Sequence, residues 1–515
     1  MANQYLWQDE AENAVIARNI LRFGYPRAFD GSLLVVSDIG YRKDYTWIFQ
    51  PWLQNYLTAF SFCIFGGSSL SARLPFVLFG IASFASAYFL ARRMFSLMTA
   101  RVFLVIMLTC VPYLLMIRQA RYYSLALFFA LLLIHGYLDY AEKKRFADIK
   151  ILASSFLLFN SNFGLFFPLA AGLIFHRIVF YRREADMKKD AGLILLTALI
   201  LVPIFIYFKG WLHEVPLSAD FVLGNVKFYL RSINRYIVPI RLIAVFYLVF
   251  AIMKRTFWPF VASYSDKRNI SLILFIFVTT VLFMGIAKFR SLRYAIYLIP
   301  LLGILESYFL ARWMNHGRVL ASLCIVLLVT TNLFHQSLTD IFVKSVSGAF
   351  VNLSGKYDFE KQGGILEKMT EKAKERASEK NSIRSYFGEY LYEISHDYDG
   401  PIEGIVTYLK ENAVETDRVK IPYGDCAVAF YTGLKVDNDM TPGKDPYPEW
   451  IIPRDYWTSK GFYSSDYYKE IQKKYEKIVL EYPDLRWENR PDDLGYHNFR
   501  TVSDYPKKVV IYKKK

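Results

Sequence analysis

Long apolar segments recur through the first two thirds of the chain and are separated by short polar turns. Segments of this length predict helices that span a membrane. The stretch from Asn160 to Gly164 divides an apolar run that is too long for one span, so we place a turn there. The ten predicted spans cover about residues 72–91, 102–117, 122–140, 150–163, 164–180, 191–208, 236–254, 270–287, 292–311 and 318–335.

Near the N-terminus, apolar and polar positions recur with helical spacing over residues 10–23. Asp9 with Glu12 three residues later is typical of a capping box, and Gly24 predicts the end of the helix. The apolar stripe is too short and too polar to cross a bilayer, so the helix should lie on the membrane surface and present Asp9 and Glu10. An alternative is that these carboxylates only stabilise the start of the helix.

The pattern divides the chain into two domains. A second interfacial helix is predicted over residues 47–66, where an aromatic and apolar run is interrupted by glutamine, proline and asparagine. With this helix, residues 1–70 form the first outer loop of a polytopic membrane domain. That domain covers residues 1–340. After residue 340 the apolar runs fall to strand length and charged residues increase, which predicts a soluble domain of mixed α/β structure over residues 341–515.

Local patterns predict several elements of the soluble domain. They are a charged connecting helix over 361–380, a helix over 401–412, and strands over 418–422, 475–480 and 509–512. Aromatic and acidic residues are dense between Asp445 and Trp457. Such a stretch is typical either of a surface that stacks on sugars or of a small core, and we favour the core.

Composition and charge narrow the function classes. Of 515 residues, 54% are hydrophobic and 21% are charged, which indicates a membrane protein. The formal net charge is +16, but the basic residues concentrate in every second short loop, so they indicate cytoplasmic loops and no nucleic-acid partner. The alternate loops and the soluble domain should then lie outside. The four cysteines are widely spaced and predict neither disulfides nor a zinc site.

Two tight turns on the predicted outer side are basic, against the positive-inside bias. Cations placed beside the carboxylates of the first helix predict a site for an anionic head group at the interface. The alternatives are that these side chains reach lipid phosphates or pair with nearby acidic residues. The residues concerned are Arg118, Arg121 and Tyr122 in the first turn and Lys288, Arg290, Arg293 and Tyr294 in the second.

Several short segments occur in a characteristic order along the chain. They are Asp9-Glu10-Ala11 with Ala17-Arg18, Phe65-Gly66 before Ala72-Arg73-Leu74-Pro75, Leu90 to Phe95, Arg118 to Tyr123, and Arg293-Tyr294 before Ile299-Pro300. Together they resemble the GT-C fold glycosyltransferases of family 39, which includes protein O-mannosyltransferases and the lipid A aminoarabinose transferase. Tyr423 to Asp425 and Phe430 to Leu434 resemble the extracytoplasmic tails of bacterial relatives.

The resemblance implies a polytopic helical GT-C bundle of about ten spans with a C-terminal soluble α/β domain. It implies an enzyme of the cytoplasmic (inner) membrane of a prokaryote, which transfers a sugar from a polyprenyl-phosphate-linked donor to a protein, lipid or cell-envelope glycan. By resemblance, Asp9 and Glu10 bind or deprotonate the acceptor. Arg118, Arg121 and Arg293 hold the lipid phosphate. This agrees with the chemistry, because the attacking hydroxyl requires a carboxylate and the departing phosphate requires cations.

Further expectations concern the first loop and the cofactors. Asp38 and Asp44 are candidates for a second carboxylate, although turn chemistry explains them equally well. No cofactor is implied with certainty, and a divalent Mg or Mn ion is a candidate. Relatives have a spanning helix before the acidic pair, whereas eight residues precede Asp9 here, so we expect an apolar segment upstream. Gln50 to Leu53 replaces the Pro-Pro-Leu segment found in relatives.

Two other function classes stay open at this point. A transporter or flippase would carry ionisable residues inside its spans. The main candidates are Glu306, His135 and His176, and each fits better as a residue at the end of a helix. Charges concentrate instead at one face, which favours catalysis at the interface. A catalytically inactive glycan-binding relative is the third class.

Overall fold

The computed structural model describes residues 4–35, 40–182, 186–209, 218–240, 243–244, 263–288, 290–315, 317–336, 383–442, 446–486, 494, 497–502 and 505–515. The described chain is mostly helical and ends in a sheet-containing domain. The predicted charged helix over 361–380, most of the predicted span over 236–254, the domain boundary at 340 and Asp38 lie outside these residues.

The first helix, α1, runs from Gln8 to Phe23. Its N-terminal cap is Trp7, and no side-chain hydrogen bond caps it, so the predicted capping box of Asp9 and Glu12 is wrong. Its C-terminal end is confirmed, because Gly24 adopts the left-handed conformation with φ of 82° and donates its N–H to the carbonyl of Ile20. The carboxylates of the first turn therefore have other partners.

Helices of the membrane domain follow in order, and the predicted break near residue 162 is confirmed. The helix predicted over residues 47–66 is also confirmed, although it begins later than predicted, at Leu53. The bounds are α2 Leu53–Phe65, α3 Ser69–Met94, α4 Leu97–Leu108, α5 Val111–Ile117, α6 Tyr123–Ala141, α7 Ala147–Ser161, α8 Phe163–Tyr181, α9 Met187–Tyr207, α10 Ala219–Tyr236, α11 Tyr264–Gly285, α12 Leu298–Met314 and α13 Arg318–Thr330.

Five of the described helices are long and apolar enough to cross a membrane: α3, α6, α8, α9 and α11. The pair α4 and α5 would be a sixth if it is one span, bent by 73°. Fewer helices meet this criterion than the ten predicted spans, because α7, α12 and α13 have only 15, 17 and 13 residues and most of the predicted span over 236–254 lies outside the described residues. The apolar pattern located these segments but did not fix their lengths.

Helix α10 was not predicted from the sequence. Its buried face includes the polar residues Asn225 and Ser232, while Lys227 and Arg231 are exposed on the other side. The helix therefore lacks the continuous apolar run that predicts a span. Asn225 donates to the carbonyls of Gly285 and Ala287, both at 2.9 Å, so α10 is fixed against the end of α11.

The C-terminal domain contains a five-stranded sheet in the order β2-β1-β3-β5-β4. The strands β1, β2 and β3 pair in parallel, while β5 pairs antiparallel with β3 and β4. The predicted helix over 401–412 and the three predicted strands are confirmed. The bounds are α14 Tyr386–Ser395, α15 Pro401–Asn412, β1 Arg418–Lys420, α16 Asp425–Thr432, β2 Lys435–Asp437, β3 Trp450–Ile451, α17 Lys460–Ser464, α18 Asp466–Lys474, β4 Tyr475–Pro483 and β5 Lys508–Lys514.

Helix α16 joins this domain to the start of the membrane domain. Phe430 stacks on Phe62 of α2 with ring centroids 5.9 Å apart. The hydroxyl of Tyr431 accepts from the backbone N–H of Leu6 at 2.8 Å and hydrogen-bonds to the Ser69 hydroxyl at 2.7 Å. The C-terminal domain therefore packs directly against the segments that flank α1.

Candidate active site at the first turn of helix α1

Two arginines converge on the carboxylate of Asp9. Arg293 Nη1 donates to Asp9 Oδ2 at 3.0 Å, and Arg121 Nη2 lies 3.7 Å from the same oxygen. The side chain of Asp9 keeps 25% of its surface exposed. The structure thus brings together three predicted site residues from α1 and from both basic turns, with the carboxylate still accessible.

Arg121 lies in the turn between α5 and α6 and is almost fully buried. Its Nη1 donates to the backbone carbonyl of Asp9 and to Glu12 Oε1, both at 3.0 Å. Burial raises the pKa of Glu12, and the charge of Arg121 opposes that shift only in part. Glu12 was expected to cap the helix, but it instead holds Arg121 beside Asp9.

Tyrosine side chains surround Arg293. Its Nη2 donates to the Tyr294 hydroxyl at 3.1 Å, and its Nη1 donates to the Tyr123 hydroxyl at 3.4 Å. Tyr122 is buried and packs edge-to-face against Tyr123 with centroids 4.7 Å apart. The predicted residues Tyr122 and Tyr294 therefore lie at the site, where they contribute to the wall and to the orientation of Arg293.

Glu10 is buried and fully engaged. Arg73 of α3 donates to both of its carboxylate oxygens, from Nε at 2.9 Å and from Nη2 at 2.6 Å. The backbone N–H of Ala120 donates to Glu10 Oε1 at 2.8 Å. With only 1% of its surface exposed, Glu10 links α1 to α3 and to the turn before α6, whereas the sequence suggested a catalytic role.

Arg118 points toward the C-terminal domain. Its Nη2 lies 2.6 Å from Glu393 Oε1, and its Cζ lies 5.7 Å from the ring centroid of Tyr390. Glu393 Oε2 is also 2.9 Å from His497 Nε2. Burial acts to raise the pKa of Glu393, but His497 and Arg118 outweigh it and lower the pKa to about 2. The predicted phosphate ligand Arg118 therefore joins the two domains.

The basic residues of the second turn also have different partners. Arg293 reaches Asp9, whereas Arg290 is exposed and donates from Nε to Asn225 Oδ1 of α10 at 2.7 Å. Lys288 is exposed in the same turn. Of the basic residues in this turn, Arg293 is thus the one with a direct hydrogen bond to Asp9 in the described structure.

Asp44 belongs to a turn in the first loop. Its Oδ1 accepts from the backbone N–H of Thr46 at 3.0 Å and its Oδ2 accepts from the Thr46 hydroxyl at 2.8 Å. These hydrogen bonds lower the pKa of this exposed carboxyl. Turn chemistry therefore explains Asp44, and the other candidate of this loop, Asp38, lies outside the described residues.

The C-terminal domain contributes a contact to the site that was not predicted from the sequence. Gln8 Nε2 donates to Asp425 Oδ1 at 2.6 Å, and Gln8 Oε1 accepts from the backbone N–H of Gly424 at 3.1 Å. Asp425 Oδ2 accepts from Asn438 Nδ2 at 3.1 Å. Burial raises the pKa of Asp425, while the hydrogen bonds from Asn438 and Gln8 act in the opposite direction. The signal was present in the segment Tyr423 to Asp425, but its partner lies 417 residues away.

The candidate Mg or Mn ion does not fit the described residues. No group of three or more His, Cys, Asp or Glu side chains is placed to hold a metal among the residues that the structure describes. Beside Asp9 and Glu12 lie the guanidinium groups of Arg121 and Arg293, and these cations disfavour a second positive charge.

Known proteins resemble this chain in part of its sequence and in its fold. Residues 50–208 match the family described as dolichyl-phosphate-mannose-protein mannosyltransferase. The fold is similar to that of ArnT from Cupriavidus metallidurans in the apo state, with 14% identity, a TM-score of 0.54, and coverage of 99% of this chain and 94% of that chain. The same protein bound to undecaprenyl phosphate matches with 13% identity, a TM-score of 0.50 and the same coverage. No curated protein matches this chain in sequence.

These findings support a glycosyltransferase of the GT-C fold and confirm the resemblance drawn from the sequence. The fold is a polytopic helical membrane bundle with a C-terminal domain that contains a sheet. The chain is thus an integral membrane protein with the GT-C fold.

Proposed function

We propose that this protein transfers a sugar from a polyprenyl-phosphate-linked donor to an extracytoplasmic acceptor, which is a protein, a lipid or a cell-envelope glycan. The observation that carries this proposal is the convergence of Arg121 and Arg293 on the partly exposed carboxylate of Asp9. The similarity to a structure that contains undecaprenyl phosphate supports the donor class. The matched mannosyltransferase family supports the reaction class.

In the proposed reaction, the acceptor hydroxyl donates its hydrogen to the Asp9 carboxylate. The hydroxyl oxygen attacks the anomeric carbon of the donor, the bond between that carbon and the phosphate oxygen breaks, and the proton passes to Asp9. The leaving lipid phosphate gains negative charge, which the guanidinium groups of Arg293 and Arg121 stabilise. The planar fork of Arg293 is suited to two phosphate oxygens.

Neighbouring residues have positioning roles in this proposal. Glu10 fixes α1 to α3 through Arg73, and Glu12 holds the guanidinium group of Arg121. Tyr294 and Tyr123 orient Arg293 by accepting its hydrogen bonds. Because these contacts come from four separate parts of the chain, the site forms only when the bundle has assembled.

The proposal also includes the side of the membrane. Basic loops predict that Asp9 and the C-terminal domain lie outside the cytoplasmic membrane of a prokaryote. The contact between α16 and the segments flanking α1 supports placing the two on the same side. Single cysteines introduced at the exposed positions Tyr56 and Val414 should both react with an impermeant reagent in intact cells. Protection of either would contradict this topology.

The reaction is tested with purified protein in lipid nanodiscs, a panel of radiolabelled polyprenyl-phosphate sugars and crude cell-envelope acceptor. We expect transfer of label from at least one donor, and loss of that transfer in Asp9→Asn. If the wild-type protein transfers no sugar from any donor of this class, the proposal is wrong.

A further inference from the structure

Three aromatic rings lie together on the C-terminal domain. Tyr423 and Trp457 stack face to face, with centroids 4.2 Å apart and ring planes 4° from parallel. Tyr456 packs edge-on against Trp457 at 5.7 Å and is 52% exposed. Arg486 is exposed and its Cζ lies 3.8 Å from the Tyr456 centroid. We call Tyr423, Tyr456, Trp457 and Arg486 the aromatic platform.

The platform is not part of the domain core. Trp450, in the same aromatic stretch of the sequence, is 1% exposed and belongs to the core of the sheet. Trp457 is instead half-buried, and its indole N–H donates to the backbone carbonyl of Arg486 at 2.8 Å. The core interpretation of this stretch therefore holds for Trp450 and does not extend to Tyr456 and Trp457.

A buried ion pair holds the platform in place. Arg454, with no exposed surface, donates from Nε to Asp484 Oδ1 at 2.7 Å and from Nη2 to the carbonyl of Leu485 at 2.8 Å. Its Nη1 donates to the carbonyl of Tyr423 at 3.4 Å. Asp484 Oδ2 accepts from the backbone N–H of Asp455 at 2.8 Å. One buried arginine and one aspartate thus fix the three segments that carry the platform.

Burying such a pair removes two charges from water, which makes it a poor means of stabilising a fold compared with apolar packing. Here the pair of Arg454 and Asp484 holds the side chains of the platform in a rigid arrangement at the surface. Rigid aromatic side chains with a fixed orientation bind with little loss of conformational entropy. The arrangement therefore has the construction of a preformed binding surface.

The platform lies next to the candidate active site. Tyr423 directly precedes Gly424, whose backbone N–H donates to Gln8 Oε1 at 3.1 Å. Gln8 directly precedes Asp9 in α1. One hydrogen bond through the Gln8 side chain and two peptide units therefore connect the platform to the proposed catalytic carboxylate.

We propose that the aromatic platform binds the carbohydrate of the acceptor, which makes a glycan the acceptor class among the three considered. This inference rests on the proposed function. Tyrosine and tryptophan rings present flat apolar faces on which the C–H faces of a sugar ring can stack, and they keep a polar group at the edge. The guanidinium group of Arg486 supplies N–H donors for hydroxyl groups and for acidic groups of the glycan.

The test measures binding by the full-length protein in detergent, without any donor. The probes are a neutral hexasaccharide, maltohexaose, and an acidic one, hexagalacturonate, with affinities taken from isothermal titration calorimetry. We expect binding of one or both, and we expect Tyr456→Ala to weaken it roughly tenfold, as for truncation of an aromatic residue at a binding hot spot. Arg486→Gln should weaken binding of the acidic probe more than that of the neutral probe.

Tyr264→Ala is the matched control, because Tyr264 is the exposed first residue of α11 and lies outside the platform. It should bind both probes as the wild type does. Absence of binding to both probes, or equal binding by Tyr456→Ala and the wild type, would overturn the inference. Binding of peptides in place of sugars, lost in Tyr456→Ala, would also overturn it and indicate a protein acceptor.

The outcome of this binding test can be distinguished from the outcome of the sugar-transfer test of the proposed function. If the protein binds glycans through the platform but transfers no sugar, the glycan-binding inference is kept and the transferase proposal is wrong. Sugar transfer that requires Asp9, combined with no binding to the platform, would keep the transferase and remove the glycan-binding surface.

Discussion

Arg293 Nη1 lies 3.0 Å from Asp9 Oδ2, although 284 residues separate the two in the sequence. The contact joins α1 to the turn that precedes α12, and Arg121 approaches the same oxygen from the turn before α6. Both side chains are largely withdrawn from water, and an ion pair of this kind is weak evidence for a stabilising role because its charges lose hydration. Two cations around one accessible carboxylate are better explained by a site for an anionic group.

The first prediction concerns the charge of Asp9. Asp9→Asn keeps the size of the side chain and one acceptor oxygen for Arg293, but it removes the proton acceptor. We expect the rate of sugar transfer to fall by roughly 10²-fold or more, as for loss of a general base. Initial rates with saturating donor, together with an unchanged thermal unfolding midpoint, would establish this.

Asp44→Asn is the control for that substitution, since Asp44 is an exposed turn residue of the same loop. It should transfer sugar at the wild-type rate. If Asp9 capped α1, Asp9→Asn would leave the activity unchanged, because asparagine caps a helix about as well as aspartate. No side chain caps α1, so this reason does not apply. Full activity of Asp9→Asn would remove Asp9 from the mechanism.

The second prediction concerns the contact between the domains. Arg118→Ala leaves the buried carboxylate of Glu393 without its guanidinium partner, and breaking such a pair costs about 3 kcal/mol. We expect faster hydrogen exchange in α14 and in α5, the two helices that this pair joins. Glu393→Gln should produce the same change, and the double variant should be little worse than either single variant. Additive effects would show that the two side chains act independently.

The third prediction follows from the low pKa of Glu393, about 2. Since this pKa lies below the ordinary value of 4.5, the ionised carboxylate stabilises the junction at neutral pH. That contribution is complete above about pH 4.5 and declines as the pH falls toward 2. Thermal unfolding midpoints of the wild type and Glu393→Gln should therefore differ at neutral pH and converge in acid. A constant difference down to pH 3 would contradict the assignment.

The fourth prediction concerns the link between Gln8 and Asp425. Asp425→Asn keeps an oxygen that can accept from Gln8, whereas Asp425→Ala leaves the partly buried Gln8 amide without this acceptor. We expect Asp425→Ala to lower kcat with little change in donor KM, because the end of α1 that carries Asp9 loses its anchor. Asp425→Asn should recover most of the rate. Equal activity of both variants and the wild type would show that this contact does not position Asp9.

Local signals in the sequence located many elements but not their partners. Gly24 marked the end of α1 and Pro401 the start of α15, because both act through the backbone of their own turn. The same reasoning gave Asp9 a capping role, since a local pattern cannot include an arginine 284 residues away. Asp425 was missed for the same reason.

The basic turns illustrate the limit more sharply. In the sequence, five residues form one group by their charge and their predicted side of the membrane: Arg118, Arg121, Lys288, Arg290 and Arg293. The structure separates them by direction: Arg121 and Arg293 face Asp9, Arg118 faces Glu393, and Arg290 faces Asn225. Those directions depend on how α5, α10 and α14 pack, and a periodic apolar pattern does not contain that information.

The last prediction compares two arginines of one turn. Arg293→Ala removes the fork that we place on the leaving phosphate, and the expected fall in kcat is roughly 10²-fold, the size found for loss of one donor to a developing negative charge. Arg293→Lys restores the charge without the planar pair of donors, so its ammonium cannot bind two phosphate oxygens as a fork, and rescue should be partial. Arg290→Lys is the matched control, because Arg290 is exposed and donates to Asn225, and it should keep the wild-type rate. The measurement is single-turnover transfer with saturating polyprenyl-phosphate donor. Full rescue by Arg293→Lys would show that this site requires only a positive charge, and equal losses in Arg293→Lys and Arg290→Lys would assign the effect to the turn as a whole.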